Sequence, residues 1–234
     1  MQIAISTIDR EPAFVHKLLD TLFVNDQAEG LRIRCVVNGD DDGYLQHWDQ
    51  IETEVLDEKG MRELASFSTK RRIFFNTMRC LVDADHSDSL LYCQDDVIFC
   101  SNWRSKLNTM ISKAPDYLRR TEPRHRAKQR SEDRYVLSLY ASYPFKTRPV
   151  ASYPTQKFYG MQCVYFPQVV LKDIALKMAD TFRGGRCPPD DIWLKESCMR
   201  QDLPILCGIP NLVQHVGNGS TIGSSFHTSP TFQE

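Results

Sequence analysis

In the stretch SLLYCQDDVIFC, residues 89–100, Asp95 and Asp96 interrupt a run of apolar residues. Continuous apolar runs of this length that are rich in aromatic and β-branched residues are typical of buried strands. Two neighbouring carboxylates at the end of a buried strand repel each other and lose solvation. The stretch therefore predicts a central strand that ends in a charged site, where a cation or a proton compensates the aspartates.

The segments on either side predict an alternation of strands and helices. QIAIST at residues 2–7 and RIRCVV at residues 32–37 are short and apolar, which favours strands. Apolar residues at helical spacing predict one helix that begins near Pro12 and another over residues 70–84. Strands and helices that alternate along the chain are typical of an α/β fold, with a mainly parallel sheet flanked by helices.

The second half of the chain has a less regular pattern. It predicts helices in NWRSKLNTMISKA, PQVVLKDIALKMADTF and PDDIWLKESCMRQ, strands in RYVLSLYASY and YGMQCVYFP, and a strand pair in PILCGIPNLVQHVG. A charged stretch at residues 45–68 has only a weak pattern. Because neither a repeat nor a linker divides the sequence, we expect a single domain over residues 1–234.

Composition excludes several classes of protein. The 234 residues are 41% hydrophobic and 25% charged, with a net charge of -1, which is ordinary for a globular protein and gives no general attraction to nucleic acid or membranes. No apolar run is long enough to span a bilayer, and Met1 leads directly into a strand, so we expect neither a signal peptide nor an anchor. Eight scattered cysteines without a C-x-x-C pair indicate no structural zinc site and a reducing compartment, which predicts a cytoplasmic protein.

Polar side chains follow each of the three early strands. They are Thr7, Asp9 and Arg10 after the first strand, Asn38 and Asp40 after the second, and Gln94, Asp95 and Asp96 after the third. Ligands of open α/β sheets gather at the carboxyl ends of the strands, so we expect these clusters to form one site. Carboxylates with few other hard ligands suit Mg²⁺ or Mn²⁺ together with substrate phosphates. The alternative is that the aspartates cap a following turn.

A histidine near the C-terminus adds a candidate ligand. His215 directly follows an apolar strand and precedes a loop rich in Gly, Ser and Thr. Neutral imidazole ligates Mn²⁺, and the backbone N–H groups of such a loop can bind phosphate oxygens. The alternative is a histidine whose hydrogen bonds are satisfied within the core.

Four motifs together resemble the nucleotide-sugar glycosyltransferases with the GT-A fold. They are LLYCQDDVIFCSNW, FYGMQCVYFP, PPDDIWL and PNLVQHVGNGST, and they occur in the family's order. The last motif is similar to the C-terminal strand and metal-binding histidine of the N-acetylglucosaminyltransferase IV group. The resemblance implies a Rossmann-like half that binds the nucleotide sugar, about residues 1–100, and an acceptor-binding and catalytic half, about residues 101–234.

The resemblance also implies which residues bind the donor, the cation and the acceptor. Asp96 with Asp95 would hold Mn²⁺ or Mg²⁺, and His215 would complete the set of ligands. Asp191 would be the general base, with Asp190 as the alternative. The residues implied at the nucleotide-sugar donor are Thr7, Asp9, Arg10, Asp40 (near the uracil or ribose), Arg72, Asn76, Gln94, Asp95 and Ser220. Gln94 stands where the family's usual D-x-D motif has its first aspartate.

The implied reaction is an inverting transfer of a sugar, from a donor expected to be a UDP-sugar, to an acceptor hydroxyl. A carboxylate that takes the hydroxyl proton is one of its chemical requirements, and Asp191 begins a predicted helix. The plain structural alternative is that Asp190 caps this helix and that the helix dipole stabilises the negative charge of Asp191. Two further alternatives are a nucleotidyltransferase, although STIDREP lacks the glycine expected of its phosphate loop, and a non-catalytic nucleotide- or sugar-binding module.

A basic segment bears on the acceptor. Residues 119–134 contain seven Lys and Arg side chains against three acidic ones. Such a run is commonly a solvated loop, but clustered Arg and Lys also bind phosphate backbones. We therefore expect an acceptor that is either a hydroxymethylated base in DNA, bound through this segment, or a glycan or protein. A DNA acceptor implies the cytoplasm of a bacterium or of a phage-infected cell.

Overall fold

A computed structural model describes residues 1–8, 13–24, 27–121, 134–142, 145, 149–216 and 228–232. The strands are β1 (Gln2–Thr7), β2 (Arg32–Val37), β3 (Glu52–Glu54), β4 (Leu90–Gln94), β5 (Val97–Phe99), β6 (Val136–Ser138), β7 (Val150–Ser152), β8 (Cys163–Phe166), β9 (Ile205–Gly208) and β10 (Val213–His215). The helices are α1 (Phe14–Phe23), α2 (Glu58–Ala65), α3 (Thr69–Val82), α4 (Trp103–Thr121), α5 (Gln168–Arg183) and α6 (Asp190–Gln201).

Eight strands of these ranges form one sheet in the order β3-β2-β1-β4-β8-β6-β9-β7. β1 is parallel to both β2 and β4, β2 is parallel to β3, and β6 is parallel to β9. β8 is antiparallel to β4 and β6, and β7 is antiparallel to β9. The predicted α/β domain with a mainly parallel sheet flanked by helices is therefore confirmed.

Alternate residues of β4 face two separate layers of the core. Leu91 and Cys93 pack in the layer that contains the buried side chains of α1 and α4. Leu90 and Tyr92 pack in the layer that contains those of α3, α5 and α6. Helices cover both faces of the sheet, which explains why this strand is apolar at consecutive positions instead of alternating with polar residues.

β5 leaves the main sheet and pairs with a strand from the far end of the chain. β10 is antiparallel to β5, with His215 opposite Val97. The sequence predicted both strands of PILCGIPNLVQHVG, but their pairing with each other is wrong. β9 lies in the large sheet, and β10 crosses to β5 instead.

Two helical segments differ from the sequence-based expectation. The weakly patterned stretch at residues 45–68 contains β3 and α2, and α2 buries only Leu64. α4 continues past Pro115 to Thr121, because Ala114 and Leu118 on either side of the proline are both buried in the core. Burial of these residues outweighs the hydrogen bond that proline removes from the helix. None of the helices in the described ranges has the length and apolar character needed to cross a bilayer.

Candidate functional site

The order of the strands reverses between β1 and β4. The chain passes from β1 to β2 on one side and later places β4 on the other side of β1. In open α/β sheets, the crevice outside the strand ends at such a reversal is where ligands bind. A cavity of about 320 Å³ opens there. Six of the residues predicted to bind the donor or the metal line it: Thr7, Arg72, Asn76, Gln94, Asp95 and Asp96.

Asp95 fastens the end of β4 to the end of β1. Its side chain is only 6% exposed. Oδ2 accepts hydrogen bonds from Thr7 Oγ1 at 3.1 Å and from the backbone N–H of Ile8 at 3.3 Å, while the Asp95 N–H donates to the carbonyl of Ser6. These donors stabilise the ionised carboxylate and fix the rim of the cavity.

Asp96 lies beside His215. The Nε2 atom of His215 is 3.1 Å from Asp96 Oδ2, and the Val216 N–H donates to the Asp96 carbonyl at 2.8 Å. The structure thus brings together two of the three residues predicted to hold a metal, whereas Asp95 is turned towards Thr7. Across the described part of the chain, no group of three or more His, Cys, Asp or Glu side chains is arranged to hold an ion.

The side-chain amide of Asn76 forms hydrogen bonds to other residues of the protein. Its Nδ2 donates to Ser6 Oγ at 2.8 Å and to the Val36 carbonyl at 2.9 Å, and its Oδ1 accepts from Arg79 Nη1 at 3.3 Å. The amide therefore joins the ends of β1 and β2, which positions the cavity wall. Arg72 donates through Nε to the Phe67 carbonyl at 3.2 Å and lines the same cavity.

The start of α6 meets the end of β4. Asp190 Oδ2 accepts hydrogen bonds from Gln94 Nε2 at 3.2 Å and from Thr77 Oγ1 at 3.1 Å, and Oδ1 accepts from the Asp191 N–H at 2.9 Å. Asp190 is 7% exposed. Its burial, followed by the negative charge of Asp191, raises its pKa to about 6, against the lowering effect of its hydrogen-bond donors.

Asp191 has a different environment. Its side chain is half-buried, and Oδ2 accepts a hydrogen bond from the Gly160 N–H at 3.2 Å. Gly160 has a φ of +90°, and a Cβ atom there would lie 1.9 Å from Gln162 Oε1. A side chain at position 160 would be strained by this φ and would require the end of the Gln162 side chain to move, so the close approach of this backbone to Asp191 favours glycine.

Some predicted site residues lie elsewhere. Asp40 is exposed and is not among the residues that line the cavity, whereas Asn38, which directly follows β2, lines it. Asp9, Arg10 and Ser220 lie outside the described residues, as does most of the basic segment 119–134. Its described ends are Arg119 and Arg120 on α4, and Arg134, whose Nη2 lies 3.9 Å from Asp173 Oδ2.

Sequence reasoning missed three residues that shape the site. Thr77 and Gly160 contact the aspartate pair on α6, and Thr69 lines the cavity as the first residue of α3. The serine before α3 was an available signal for Thr69, because Ser68 caps the helix by accepting from the Arg71 N–H. Thr77 carried no such signal, and the motif FYGMQCVYFP includes Gly160 without indicating its contact with Asp191, since both contacts depend on the packing of distant segments.

Comparison with known proteins gives weak likenesses. No protein-family model matches the sequence, and no curated protein sequence matches it. The galactosyltransferase LgtC, solved with donor and acceptor sugar analogues, has a TM-score of 0.46 and 10% identity over 84% of this chain and 70% of LgtC. S. aureus TarS 1–349 has a TM-score of 0.45 and 11% identity over 74% of this chain and 49% of that one. At these values neither likeness carries a conclusion about activity.

Proposed function

We propose that this protein is a glycosyltransferase that moves a sugar from a nucleotide-sugar donor to an acceptor hydroxyl, with a divalent cation and with inversion. The observation that carries the proposal is the hydrogen bond from Gln94 to Asp190. It joins the strand end that bears Asp95 and Asp96 to the helix start that bears Asp191. The candidate cation site and the candidate base are therefore connected through one side-chain hydrogen bond, although Asp191 is not among the residues that line the cavity.

The wall of the cavity suits a diphosphate. Thr69 and Arg72 lie in the first turn of α3, and both line the cavity. A helix N-terminus favours negative charge, and a guanidinium binds phosphate oxygens in a planar arrangement. A nucleoside diphosphate placed along this wall has its phosphates near α3 and near the end of β4.

The donor set fits a hard divalent cation. One carboxylate, Asp96, and one imidazole, His215, lie side by side, which suits Mn²⁺ or Mg²⁺ that takes its other ligands from phosphate and water. Asp95, held by Thr7 and Ile8, supports the strand end next to this pair. When bound, such a cation neutralises the charge that develops on the departing nucleoside diphosphate.

Asp191 is the better placed of the two candidate bases. Its carboxylate is half-exposed and is oriented by two backbone donors, the Gly160 N–H at Oδ2 and the Ile192 N–H at Oδ1, so its remaining lone pairs can accept the proton of an acceptor hydroxyl. Asp190 is buried and already accepts three hydrogen bonds. In an inverting transfer, the Asp191 carboxylate takes the proton of the acceptor hydroxyl as that oxygen bonds to the sugar carbon.

Two classes of acceptor remain in the proposal. The basic segment 119–134 favours DNA with a hydroxymethylated base, because its charge is concentrated in a chain whose net charge is -1. A glycan or a protein is the other class. A DNA acceptor implies a cytoplasmic enzyme of a bacterium or a phage-infected cell.

The decisive experiment measures release of nucleoside diphosphate from a panel of UDP-, GDP- and TDP-sugars in the presence of Mn²⁺ or Mg²⁺. We expect metal-dependent release from one donor class, which is abolished by chelation and restored by the cation. Asp191→Asn serves as the inactive reference, and Glu196→Gln, at a partly exposed position of the same helix that pairs only with Arg200 in the described ion pairs, as the matched control. Pyrophosphate release from a nucleoside triphosphate would instead indicate a nucleotidyltransferase, and binding without release a non-catalytic module.

A further inference from the structure

A chain of buried hydrogen bonds ends on Asp190. The hydroxyl of Tyr92 lies 3.0 Å from Thr77 Oγ1, and Thr77 Oγ1 lies 3.1 Å from Asp190 Oδ2. Thr77 and Tyr92 are fully buried. These hydrogen bonds run from β4 through α3 to the first residue of α6.

The number of hydroxyl protons determines which residue is the donor in each of these hydrogen bonds. Thr77 has one hydroxyl proton, and the ionised Asp190 can only accept, so Thr77 donates to Asp190. Because the one Thr77 proton is used towards Asp190, the hydrogen bond between Thr77 and Tyr92 has Tyr92 as its donor. Every hydroxyl proton from Tyr92 onwards points at the one carboxylate, and successive donors of this kind polarise and strengthen one another.

The same carboxylate decides how the amide of Gln94 is turned. The ionised carboxylate of Asp190 can only accept hydrogen bonds, as it does from Thr77. The group that Gln94 presents to Oδ2 therefore has to be the donor Nε2. The other end of that amide, Oε1, is therefore directed away from Asp190. Gln94 itself lines the cavity, and its backbone is fixed by donating to the Gln162 carbonyl at 2.8 Å.

We propose that Asp190 is a positioning residue: it orients Gln94 so that Oε1 accepts a hydrogen bond from a hydroxyl of the donor sugar. This inference rests on the proposed function. Gln94 lies between the carboxylates after β4 and the base candidate on α6, and the transferred sugar has to lie between the diphosphate and the base. A neutral acceptor at this point binds a sugar hydroxyl without adding a third negative charge to Asp95 and Asp96.

The first test exchanges donor and acceptor between the two residues. Asp190→Asn leaves one side-chain acceptor for the three donors that Asp190 binds, and Gln94→Glu sets a second carboxylate against Asp190, so each change should lower the Tm by about 2–10 °C. In the double variant the amide introduced at position 190 can donate to the carboxylate introduced at position 94. We therefore expect the Tm loss of the double variant to be well below the sum of the two single losses. Strictly additive losses would overturn the coupling of Asp190 and Gln94. Glu196→Gln, on the same helix, should leave the Tm within about 2 °C of wild type.

The second test separates positioning from a merely structural role. Binding of UDP and of UDP-glucose, UDP-galactose and UDP-N-acetylglucosamine is measured by calorimetry with Mn²⁺ present. Asp190→Asn should weaken binding of the preferred UDP-sugar by about tenfold, because one sugar hydrogen bond is lost, and should change UDP binding by less than about twofold. Equal weakening for UDP and UDP-sugar would overturn the positioning role, and so would unchanged binding of both.

The two tests also distinguish this inference from the function on which it rests. A wild-type chain that binds no nucleotide sugar overturns the proposed function and the sugar contact of Gln94 together. Recovery of the Tm in the double variant would then still establish the contact between the two residues. Binding of UDP-sugar by wild type, with no selective loss in Asp190→Asn, overturns the positioning role alone.

Discussion

Asp96 and His215 are separated by 119 positions in the sequence, yet Oδ2 of one lies 3.1 Å from Nε2 of the other. The antiparallel pairing of β10 with β5 is responsible, because it sets His215 opposite Val97, the neighbour of Asp96. The Val216 N–H also donates to the Asp96 carbonyl, so the pair is held by backbone on both sides. This carboxylate and this imidazole are the pair to which we propose that a cation binds.

Removing either member of this pair should abolish metal-dependent stabilisation by a nucleoside diphosphate. We expect Mn²⁺ with UDP to raise the Tm of wild type by several degrees, and Asp96→Ala or His215→Ala to lose that shift, because a ligand that binds the folded state stabilises it. The measurement is a thermal melt with and without Mn²⁺. His47→Ala, which changes an exposed histidine, is the control. A full shift in Asp96→Ala would exclude this metal site.

The sequence predicted the strands of this site better than their assembly. The apolar run around Leu90–Gln94 and the strand before His215 have strong local patterns, so both elements were predictable. The partner of β10 was not, since pairing over such a separation depends on the packing of the whole domain. α2 was missed because a helix that buries only Leu64 has almost no apolar period, although Asp57 caps it by accepting from the Gly60 N–H.

Among the residues around the cavity, some could also be predicted from the sequence and others could not. Thr7, Gln94 and Asp95 were predictable because each stands at the carboxyl end of a parallel strand. For the end of β2 the sequence offers Asn38 and then a run of aspartates, and charge alone favoured Asp40. In the structure Asn38 follows the strand directly and lines the cavity, whereas the chain has turned towards solvent by Asp40.

Asp191→Asn should stop turnover without preventing donor binding. The variant keeps the shape of the side chain and one acceptor oxygen, for either the Gly160 or the Ile192 N–H, but it cannot take a proton from the acceptor hydroxyl. We expect kcat to fall by about 10²-fold or more, with the Kd of the nucleotide sugar nearly unchanged. Release of nucleoside diphosphate and calorimetric binding give the two numbers. Near-normal kcat, or a product with retained anomeric configuration, would rule out Asp191 as an inverting base.

The buried Asp190 predicts a specific pH dependence of stability. Its pKa of about 6 lies above the usual value of 3.8, so folding favours its protonated form. Its contribution to the free energy of unfolding is therefore largest below pH 3.8, and falls as the pH rises to about 6. Asp190→Asn removes this dependence. We expect wild type to lose about 1.4 kcal/mol per pH unit relative to the variant within that window.

Urea unfolding of both proteins between pH 4.5 and 7.5 measures that difference. Asp191, which contributes to the raised pKa through its charge, is present in both proteins, and so are the remaining titrating groups. The loss of hydrogen bonds in the variant adds a constant offset, so the slope against pH is the quantity that tests the prediction. Parallel curves for the two proteins from pH 4.5 to 6 would contradict it.

A test of DNA binding by the basic segment 119–134 distinguishes between the two classes of acceptor. If it contacts a phosphate backbone, binding of duplex DNA should weaken steeply with salt, because each neutralised phosphate releases counterions. Replacing Arg124, Arg126 and Arg130 by Ala should lower the slope of log K against log salt by up to about 0.9 for each lost contact. Donor hydrolysis, which needs no acceptor, should remain at the wild-type rate. A wild-type chain that does not bind DNA at low salt would exclude a nucleic-acid acceptor and leave a glycan or a protein, and the same triple variant would then transfer sugar to that acceptor as wild type does.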